Sequence, residues 1–142
     1  EWEYENYFRY LHDKYPDKVG VTIGFVPDLA RKIYAGADLF LMPSKSEPCG
    51  LSQMVALRYG TLPIVRETGG LKDSITDCGD GQGNGFTFKT YDAYDMLGAI
   101  YRGVDAYNSD DWNTLVKRAL ECDMSWGKSA NEYIKMYRSL LK

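Results

Sequence analysis

The residues best suited to chemistry lie in one short segment, PSKSEPCGLSQ, at positions 43–53. A carboxylate, Glu47, is followed there by Pro48, Cys49 and Gly50, between an apolar run and a segment with helical periodicity. Ligands of α/β folds bind where a strand ends and a helix begins, because the helix start offers unpaired amides and a partial positive charge. Such a site suits a phosphate, and Glu47 suits the hydroxyl groups of a sugar. The alternative is that Glu47 only complements the helix dipole.

A second junction of the same design follows at positions 67–71, Glu-Thr-Gly-Gly-Leu. It again places a double glycine between a strand pattern and a helix start. One Gly-Gly pair is weak support for a site, because turns commonly use glycine. Two such junctions after consecutive parallel strands give stronger support, because their carboxyl ends line one crevice of the sheet. A phosphate-bearing ligand is therefore predicted to lie across both junctions.

Strand and helix patterns alternate along the first part of the chain, and helices alone follow. Short apolar or β-branched runs predict strands at 19–25, 38–44, 61–66 and 85–88. Periodic segments predict helices at 2–15, 29–34, 50–59, 70–75, 91–108, 110–122 and 125–142. This order predicts an α/β fold, a partial Rossmann-like parallel sheet with a helical C-terminal tail. We expect a single domain over 1–142, with its α/β part at 1–89 and the tail at 90–142.

Several local details are also predicted. The run 38–44 lacks alternation, so its strand is expected to be covered on both faces. The inner face of helix 50–59 is expected to consist of Leu51, Met54, Val55, Leu57 and Arg58. Ser109 is expected to cap the helix that follows it. The Gly-rich loop 76–84 precedes a strand and fits neither a dinucleotide nor a calcium register, so a surface turn is predicted.

The composition is that of an ordinary globular protein, with 44% hydrophobic and 26% charged residues. A net charge of −3, without a basic stripe, argues against a nucleic-acid partner. No apolar run approaches the roughly 18 residues of a membrane span, so no membrane partner is expected. The three cysteines lack metal-ligand spacing, and His12 is the only histidine. These counts predict reduced thiols, no metal site and no histidine-based catalytic triad.

Residues 37–77, ADLFLMPSKSEPCGLSQMVALRYGTLPIVRETGGLKDSITD, resemble the donor-site region of the bacterial and plant glycogen and starch synthases, glycosyltransferase family 5. The blocks PS-x-x-EPCGL-x-Q, YGTLPIVR and TGGL-x-D occur in the family's order and at its spacing. Upstream, VGVTIGF resembles the family's adenine-side strand. Downstream, GFTF and SWGKSANEYIKMYRSL resemble its closing pieces. The similarity therefore covers essentially the whole chain.

The resemblance implies a B-type glycosyltransferase (GT-B), in which two Rossmann-like domains face each other across a cleft. It implies transfer of glucose from ADP-glucose to the 4-hydroxyl at the non-reducing end of an α-1,4-glucan, in glycogen or starch biosynthesis. The configuration would be retained, without a cofactor or an essential metal. This chain would be the C-terminal, donor-binding part, located in a bacterial cytoplasm or in a plant plastid.

The family's functional residues carry over to individual positions of this sequence. Glu47 would be catalytic, since it would hold the donor glucose hydroxyls and support charge at the reacting sugar. Pro48 would fix how Glu47 leaves the strand, and residues 68–70 would shape the sugar-phosphate end of the pocket. The implied donor-binding residues are Phe25, Pro48, Cys49, Gly50, Leu51, Ser52, Thr68, Gly69 and Gly70.

The resemblance also implies which part of the donor each of these residues binds. Phe25 stands where the family stacks an aromatic ring on the adenine. Ser52 stands where the family often has a threonine near the ribose. The amides of Gly50 and Leu51 would reach the distal phosphate, and Cys49 and Gly50 would contact the glucose.

The chain departs from the family pattern at Glu67, where relatives commonly carry a basic or small residue. A carboxylate there would repel a phosphate unless it points away. The family's acceptor domain and the start of its donor domain, with the arginine and lysine that neutralise the pyrophosphate, have no counterpart here. Arg66 and Lys72 flank the second junction without obviously replacing them. We therefore expect the chain to be inactive alone.

Two other functions remain open. Another B-type glycosyltransferase, or a sugar-nucleotide epimerase, would use a uridine donor. A carbohydrate-binding module without chemistry would use the aromatic side chains, which make up 14% of the residues, although aromatic residues mostly fill cores. Affinity for nucleotides, and preference for adenine over uracil, distinguishes the three functions.

Overall fold

The computed structural model describes residues 1–141, with side chains for all of them except Asp80. These residues form two compact units, Glu1–Arg31 and a larger unit that begins at Lys32. The boundary between the units falls well before position 89, where the sequence predicts the change from α/β part to helical tail. The single domain over 1–142 stays a prediction.

The first unit contains helix α1, Trp2–Lys14, which has no buried residue. After it, residues 19–25 form no strand, so the strand predicted there is wrong. A strand is stabilised by pairing with a neighbour, and residues 1–31 contain no other strand for this β-branched run to pair with. Helix α2, Pro27–Gly36, then begins with a proline in its first turn, where the missing amide hydrogen costs nothing.

The second unit is built on a parallel sheet of three strands, which confirms the predicted α/β class. The strands lie in the order β1 (Leu39–Met42), β2 (Leu62–Arg66) and β3 (Phe86–Phe88). Both pairs are parallel, with Met42 opposite Val65 on one side of β2 and Val65 opposite Thr87 on the other. The carboxyl ends of β1 and β2 therefore meet at one edge of the sheet.

Helices connect the strands and then follow them. The second unit contains α3 (Ser52–Tyr59), α4 (Gly69–Ser74), α5 (Ala93–Tyr107), α6 (Trp112–Glu121) and α7 (Trp126–Leu140). A short 3₁₀ helix, Cys78–Asp80, precedes β3. The last helix was predicted to run to position 142, which lies outside the described residues.

The core of the second unit forms around β2. Leu62, Ile64 and Val65 are at most 2% exposed, as expected for a central strand with helices over both faces. The side chains that pack with them come from α3, α4, β3, α5 and α6: Leu57, Leu71, Phe86, Phe88, Ala99 and Leu115. Burial of this apolar surface provides the main driving force that orients the strand ends.

Two predictions about burial are wrong. β1 is not covered on both faces, because Leu41 is 41% exposed. The predicted inner face of α3 is correct only for Leu57, because Leu51, Val55 and Arg58 are exposed and Met54 is half-buried. The buried residues of α3 are instead Gln53, Ala56 and Leu57.

Asp92, rather than Ser109, provides the clearest helix cap in the C-terminal part. The Asp92 carboxylate accepts hydrogen bonds from the amides of Tyr94 and Asp95 at the start of α5. The Ser109 hydroxyl donates to the carbonyl oxygen of Ala106. It therefore closes the end of α5, and the prediction that it caps the next helix is wrong.

The Gly-rich loop 76–84 is held in place by Asp77. Its carboxylate accepts hydrogen bonds from the Gly79 amide at 2.8 Å, the Thr87 amide at 2.7 Å and the Arg102 guanidinium at 2.9 Å. At the other end of the loop, the buried Asn84 accepts a hydrogen bond from the Thr76 amide. The two ends of the loop are thus joined to each other, and Asp77 also ties the loop to β3.

The charge of Asp77 makes part of the stability dependent on pH. Burial alone would raise the pKa of this carboxyl, but the hydrogen bonds from Thr87, Gly79 and Arg102 outweigh it and lower the pKa below its ordinary 3.8. The ionised form is therefore favoured by folding. Its contribution is fully present above pH 3.8 and is lost as the pH falls through the lowered pKa.

We expect Asp77→Asn to lower the free energy of unfolding by about 1–2 kcal/mol at pH 7, because it removes charge-assisted hydrogen bonds. The variant should also lose less stability than the wild type on acidification below pH 3.8. Urea unfolding followed by circular dichroism measures both effects. Asp110→Asn, at an exposed aspartate before α6, is the control. Equal unfolding midpoints for Asp77→Asn and wild type at every pH would contradict the assignment.

Candidate functional site

The loop after β1, residues 43–51, is called the first loop. It is in direct backbone contact with the start of α4, which follows β2. The Gly70 amide, in the first turn of α4, points at the carbonyl oxygens of Glu47 and Pro48, at 3.3 and 3.2 Å. The structure therefore brings together the two junctions that the sequence singles out. This contact fixes the Glu47 backbone relative to the second junction, although 23 positions separate Glu47 from Gly70 in the sequence.

The double glycine is required by this close contact. A Cβ atom at Gly70 would lie 2.0 Å from the carbonyl oxygen of Cys49. A Cβ atom at Gly69 would lie 2.1 Å from the carbonyl oxygen of Glu47, and Gly69 also has a φ of +43°. Any other residue at either position would have to displace backbone atoms of the first loop. Packing between the loops is thus sufficient to explain both glycines.

The start of α3 exposes a set of backbone donors. The helix begins at Ser52, two residues after the predicted start, and Leu51 precedes it without any side-chain cap. Within residues 1–141, the amides of Gly50 and Leu51 have no hydrogen-bond acceptor. Gly50 has a φ of +73°, which turns the chain into the helix and which side chains disfavour. These two amides are available to an anionic ligand, and the helix dipole favours negative charge there.

Glu47 lies on the same turn as these amides. Its backbone carbonyl is used by Gly70, but its half-buried carboxylate makes no hydrogen bond or ion pair with any described residue. A carboxylate in such a position needs a donor from a ligand or from water. Cys49 beside it is exposed, and its thiol contacts the Gly50 carbonyl oxygen at 3.6 Å.

Arg66, at the end of β2, binds the first loop by its backbone. Its guanidinium donates from Nε to the Ser44 carbonyl oxygen at 2.9 Å and also donates to the Lys45 carbonyl oxygen. The centre of the Tyr91 ring lies 5.9 Å from the Cζ atom of Arg66. The sequence places Arg66 beside the second junction but does not reveal its contacts, because the carbonyl groups that it binds are more than 20 positions away in the chain.

Glu67 is directed towards β3. The Thr87 hydroxyl donates to its carboxylate at 2.9 Å, and the same hydroxyl lies 3.3 Å from the carboxylate of Asp77. Arg102 binds Asp77 and the Thr87 carbonyl oxygen, and so supplies a positive charge to this group. The repulsion that the sequence suggested for Glu67 is therefore reduced, because the carboxylate takes part in a network on the β3 side.

The other predicted donor-binding residues divide between the two units. Ser52 is the first residue of α3 and Thr68 is the residue before α4; both are half-buried. Pro48 is exposed on the first loop. Phe25 belongs to the first unit and is 94% exposed. Its stacking on adenine, like the ligand contacts of all these residues, stays a prediction.

Neither a metal-binding cluster nor a membrane-spanning helix is found among the described residues. No group of three or more His, Cys, Asp or Glu side chains is arranged to hold a metal ion in this part of the chain. None of its helices combines the length and the apolar character needed to cross a membrane.

Comparison with known proteins identifies the family. The model of the family "Glycosyl transferases group 1" matches residues 1–138. The chain belongs to this family. The resemblance to glycogen and starch synthases is also confirmed, by relatives and by a solved structure.

Two glycogen synthases illustrate the similarity of this group 1 glycosyltransferase chain. That of Bacillus cereus is 52% identical over 143 aligned residues, which cover 99% of the chain. That of Geobacillus thermodenitrificans is 52% identical over 145 aligned residues, which cover the whole chain. The chain spans 30% of the length of each relative.

A solved structure shares the fold. It is the catalytic domain of starch synthase IV from Arabidopsis thaliana bound to ADP and acarbose, with a TM-score of 0.82 and 39% sequence identity. The match covers 96% of this chain and 30% of the plant chain. The parallel sheet with its helices is accordingly that of the C-terminal domain of a GT-B glycosyltransferase.

We expect Gly70→Ala to destabilise this glycosyltransferase chain by about 2–4 kcal/mol, because a methyl group cannot fit against the Cys49 carbonyl without displacing the loop. Gly98→Ala, in α5, is the matched control. A Cβ atom there meets nothing within 4 Å, so the higher helix propensity of alanine should stabilise the chain by about 0.5–1 kcal/mol. Urea unfolding measures both changes. If Gly70→Ala unfolds at the wild-type midpoint, the two loops are not packed as described.

Proposed function

We propose that this chain binds the sugar-nucleotide donor of a glucosyltransferase. The reaction is transfer of glucose from ADP-glucose to the non-reducing 4-hydroxyl of an α-1,4-glucan, with retention, in glycogen or starch synthesis. One observation carries the proposal: the unpartnered carboxylate of Glu47 shares a turn with the unpartnered amides of Gly50 and Leu51. Such a turn can bind a sugar and a phosphate side by side.

In this proposal the two kinds of group act on different parts of the donor. Glu47 accepts hydrogen bonds from the glucose hydroxyls and stabilises the positive charge that develops on the sugar as the bond to phosphate breaks. The Gly50 and Leu51 amides bind the distal phosphate, which leaves as part of ADP. Fixed donors stabilise this departing charge better than water does, because they need no reorientation.

Further residues are proposed to bind the other parts of the donor. Cys49 contacts the glucose, Ser52 lies near the ribose, and Phe25 stacks on the adenine. Thr68 and the two glycines after it shape the sugar-phosphate end, with Gly70 acting through its contact with the first loop.

The comparisons support both proposed substrates. The plant starch synthase, which is 39% identical, has ADP and acarbose bound. For this chain we infer an adenine nucleotide donor and an α-glucan acceptor, and no nucleic acid or membrane partner. The proposed location is the bacterial cytoplasm or, for a plant protein, the plastid.

We propose that the chain alone does not transfer glucose. Arg66 stands next to the second junction, but its guanidinium is occupied by backbone carbonyl groups of the first loop. A departing nucleotide diphosphate needs cationic groups beyond the two amides of the turn. Glucose transfer by the purified chain would contradict this proposal.

The function is tested by an NMR titration of the chain with ADP-glucose, with UDP-glucose as the competing donor. We expect ADP-glucose to shift the amide signals of Phe25, Gly50 and Leu51, and UDP-glucose to bind at least about tenfold more weakly, which is about 1.4 kcal/mol. Glu47→Gln should weaken ADP-glucose binding and leave ADP binding unchanged, because the carboxylate contacts only the glucose.

The control is Glu121→Gln, on the exposed surface of α6. A preference for UDP-glucose would favour the uridine-dependent enzymes. Glucan binding without nucleotide affinity, unaffected by Glu47→Gln, would favour a carbohydrate-binding module.

A further inference from the structure

Gln53 is a polar side chain at a fully buried position. It lies in the first turn of α3 and is 0% exposed. Glutamine is mostly found on protein surfaces, because an amide that leaves water must find new partners. The face of α3 that it shares with Ala56 and Leu57 is otherwise apolar. A specific role is therefore needed to explain an amide at this position.

The donor end of the amide holds the turn that carries the candidate site. Nε2 lies 2.9 Å from the Gly50 carbonyl oxygen and 3.3 Å from the Cys49 carbonyl oxygen. The Cys49 carbonyl group shares a peptide unit with the Gly50 amide, and the Gly50 carbonyl group shares the next unit with the Leu51 amide. Their orientation determines where the following amides point, because each peptide unit is planar.

The acceptor end of the same amide has no partner. The Oε1 atom is buried and receives no hydrogen bond from any described residue. An unsatisfied buried oxygen destabilises the folded state. A methionine at this position would have a similar length without that unsatisfied oxygen, but it could not bind the Cys49 and Gly50 carbonyl groups.

The amide also fits closely against Gly50. A Cβ atom at Gly50 would lie 2.6 Å from Oε1. The left-handed backbone of Gly50 and the packed amide of Gln53 therefore depend on each other. Together they determine the conformation of the turn before α3.

Ser74, the last residue of α4, extends this arrangement to the second junction. Nε2 of Gln53 lies 3.1 Å from the Ser74 hydroxyl, which donates to the Gly70 carbonyl oxygen at 2.6 Å. The Gly70 amide in turn points at the carbonyl oxygens of Glu47 and Pro48. A chain of hydrogen bonds thus leads from Gln53 through α4 and returns to the first loop.

We propose that Gln53 is a positioning residue for the distal phosphate of the donor. Its buried amide holds the Cys49 and Gly50 carbonyl groups inward, so that the Gly50 and Leu51 amides face a ligand. The ligand part of this inference rests on the proposed function. Gln53 itself is buried and acts only through the turn.

The test compares ADP with AMP on the full 142-residue chain, by calorimetry or NMR titration. Gln53→Met should weaken ADP binding about tenfold, because it loosens the amides that bind the distal phosphate. AMP lacks that phosphate, so its affinity should stay within about twofold. A residue with only a general structural role would change both affinities alike.

Thr61→Val is the matched control. Thr61 is also buried, at 1% exposure, and its hydroxyl lies within hydrogen-bonding distance of two backbone carbonyl oxygens, those of Tyr34 and Ala37. It precedes β2, whereas the candidate site follows it. We expect Thr61→Val to lower the unfolding midpoint and leave the ADP-to-AMP affinity ratio unchanged, whereas Gln53→Met should lower that ratio.

A measurement without ligand separates the two proposals. In Gln53→Met, the amide signals of Gly50, Leu51 and Gly70 should shift, and the Gly70 amide, which is hydrogen-bonded to the first loop, should exchange with solvent faster than in Thr61→Val. Unchanged signals would overturn the positioning role, whether or not nucleotides bind. If these signals change but the wild-type chain binds no nucleotide, the positioning of the turn holds and the proposed function fails. An equal loss of ADP and AMP affinity would also overturn the phosphate-specific role.

Discussion

The candidate site depends on the close approach of two backbones at the end of a parallel sheet. The Gly70 amide reaches the carbonyl groups of Glu47 and Pro48, and this is possible only because neither residue 69 nor residue 70 has a side chain. The sheet sets the distance between the strand ends, and the glycines let the loops meet across it. The turn that carries Glu47 is thereby fixed by packing, before any ligand is present.

The charged residues around this contact have separate tasks. Arg66 binds backbone carbonyl groups of the first loop, and Glu67 joins the hydrogen-bond network of Asp77 on the β3 side. These groups stabilise the loops and are already paired. The carboxylate of Glu47 and the amides at the start of α3 have no partners within the described chain. The candidate site therefore differs from the residues around it in having polar groups without hydrogen-bond partners.

Local patterns predicted the sheet core and both junctions, because β2 is a short apolar run bounded by turn residues and the glycines mark the loops. The wrong or missed predictions concern features that depend on contacts between residues far apart in the sequence. The β-branched run 19–25 forms no strand, because residues 1–31 contain no strand to pair with it. Gln53 was missed as a buried residue, since its partner Ser74 lies 21 positions further along the chain. The contacts of Arg66 were missed for the same reason. The ligand contacts of the site residues stay predictions.

A crystal structure of the chain with ADP would test the central claim most directly, that the turn before α3 is a phosphate site assembled by loop packing. We predict that oxygen atoms of the distal phosphate lie about 2.7–3.1 Å from the amide nitrogen atoms of Gly50 and Leu51, with the Gly70 contact to the first loop unchanged. ADP bound elsewhere on the chain, or a phosphate held only by side chains away from this turn, would contradict the account.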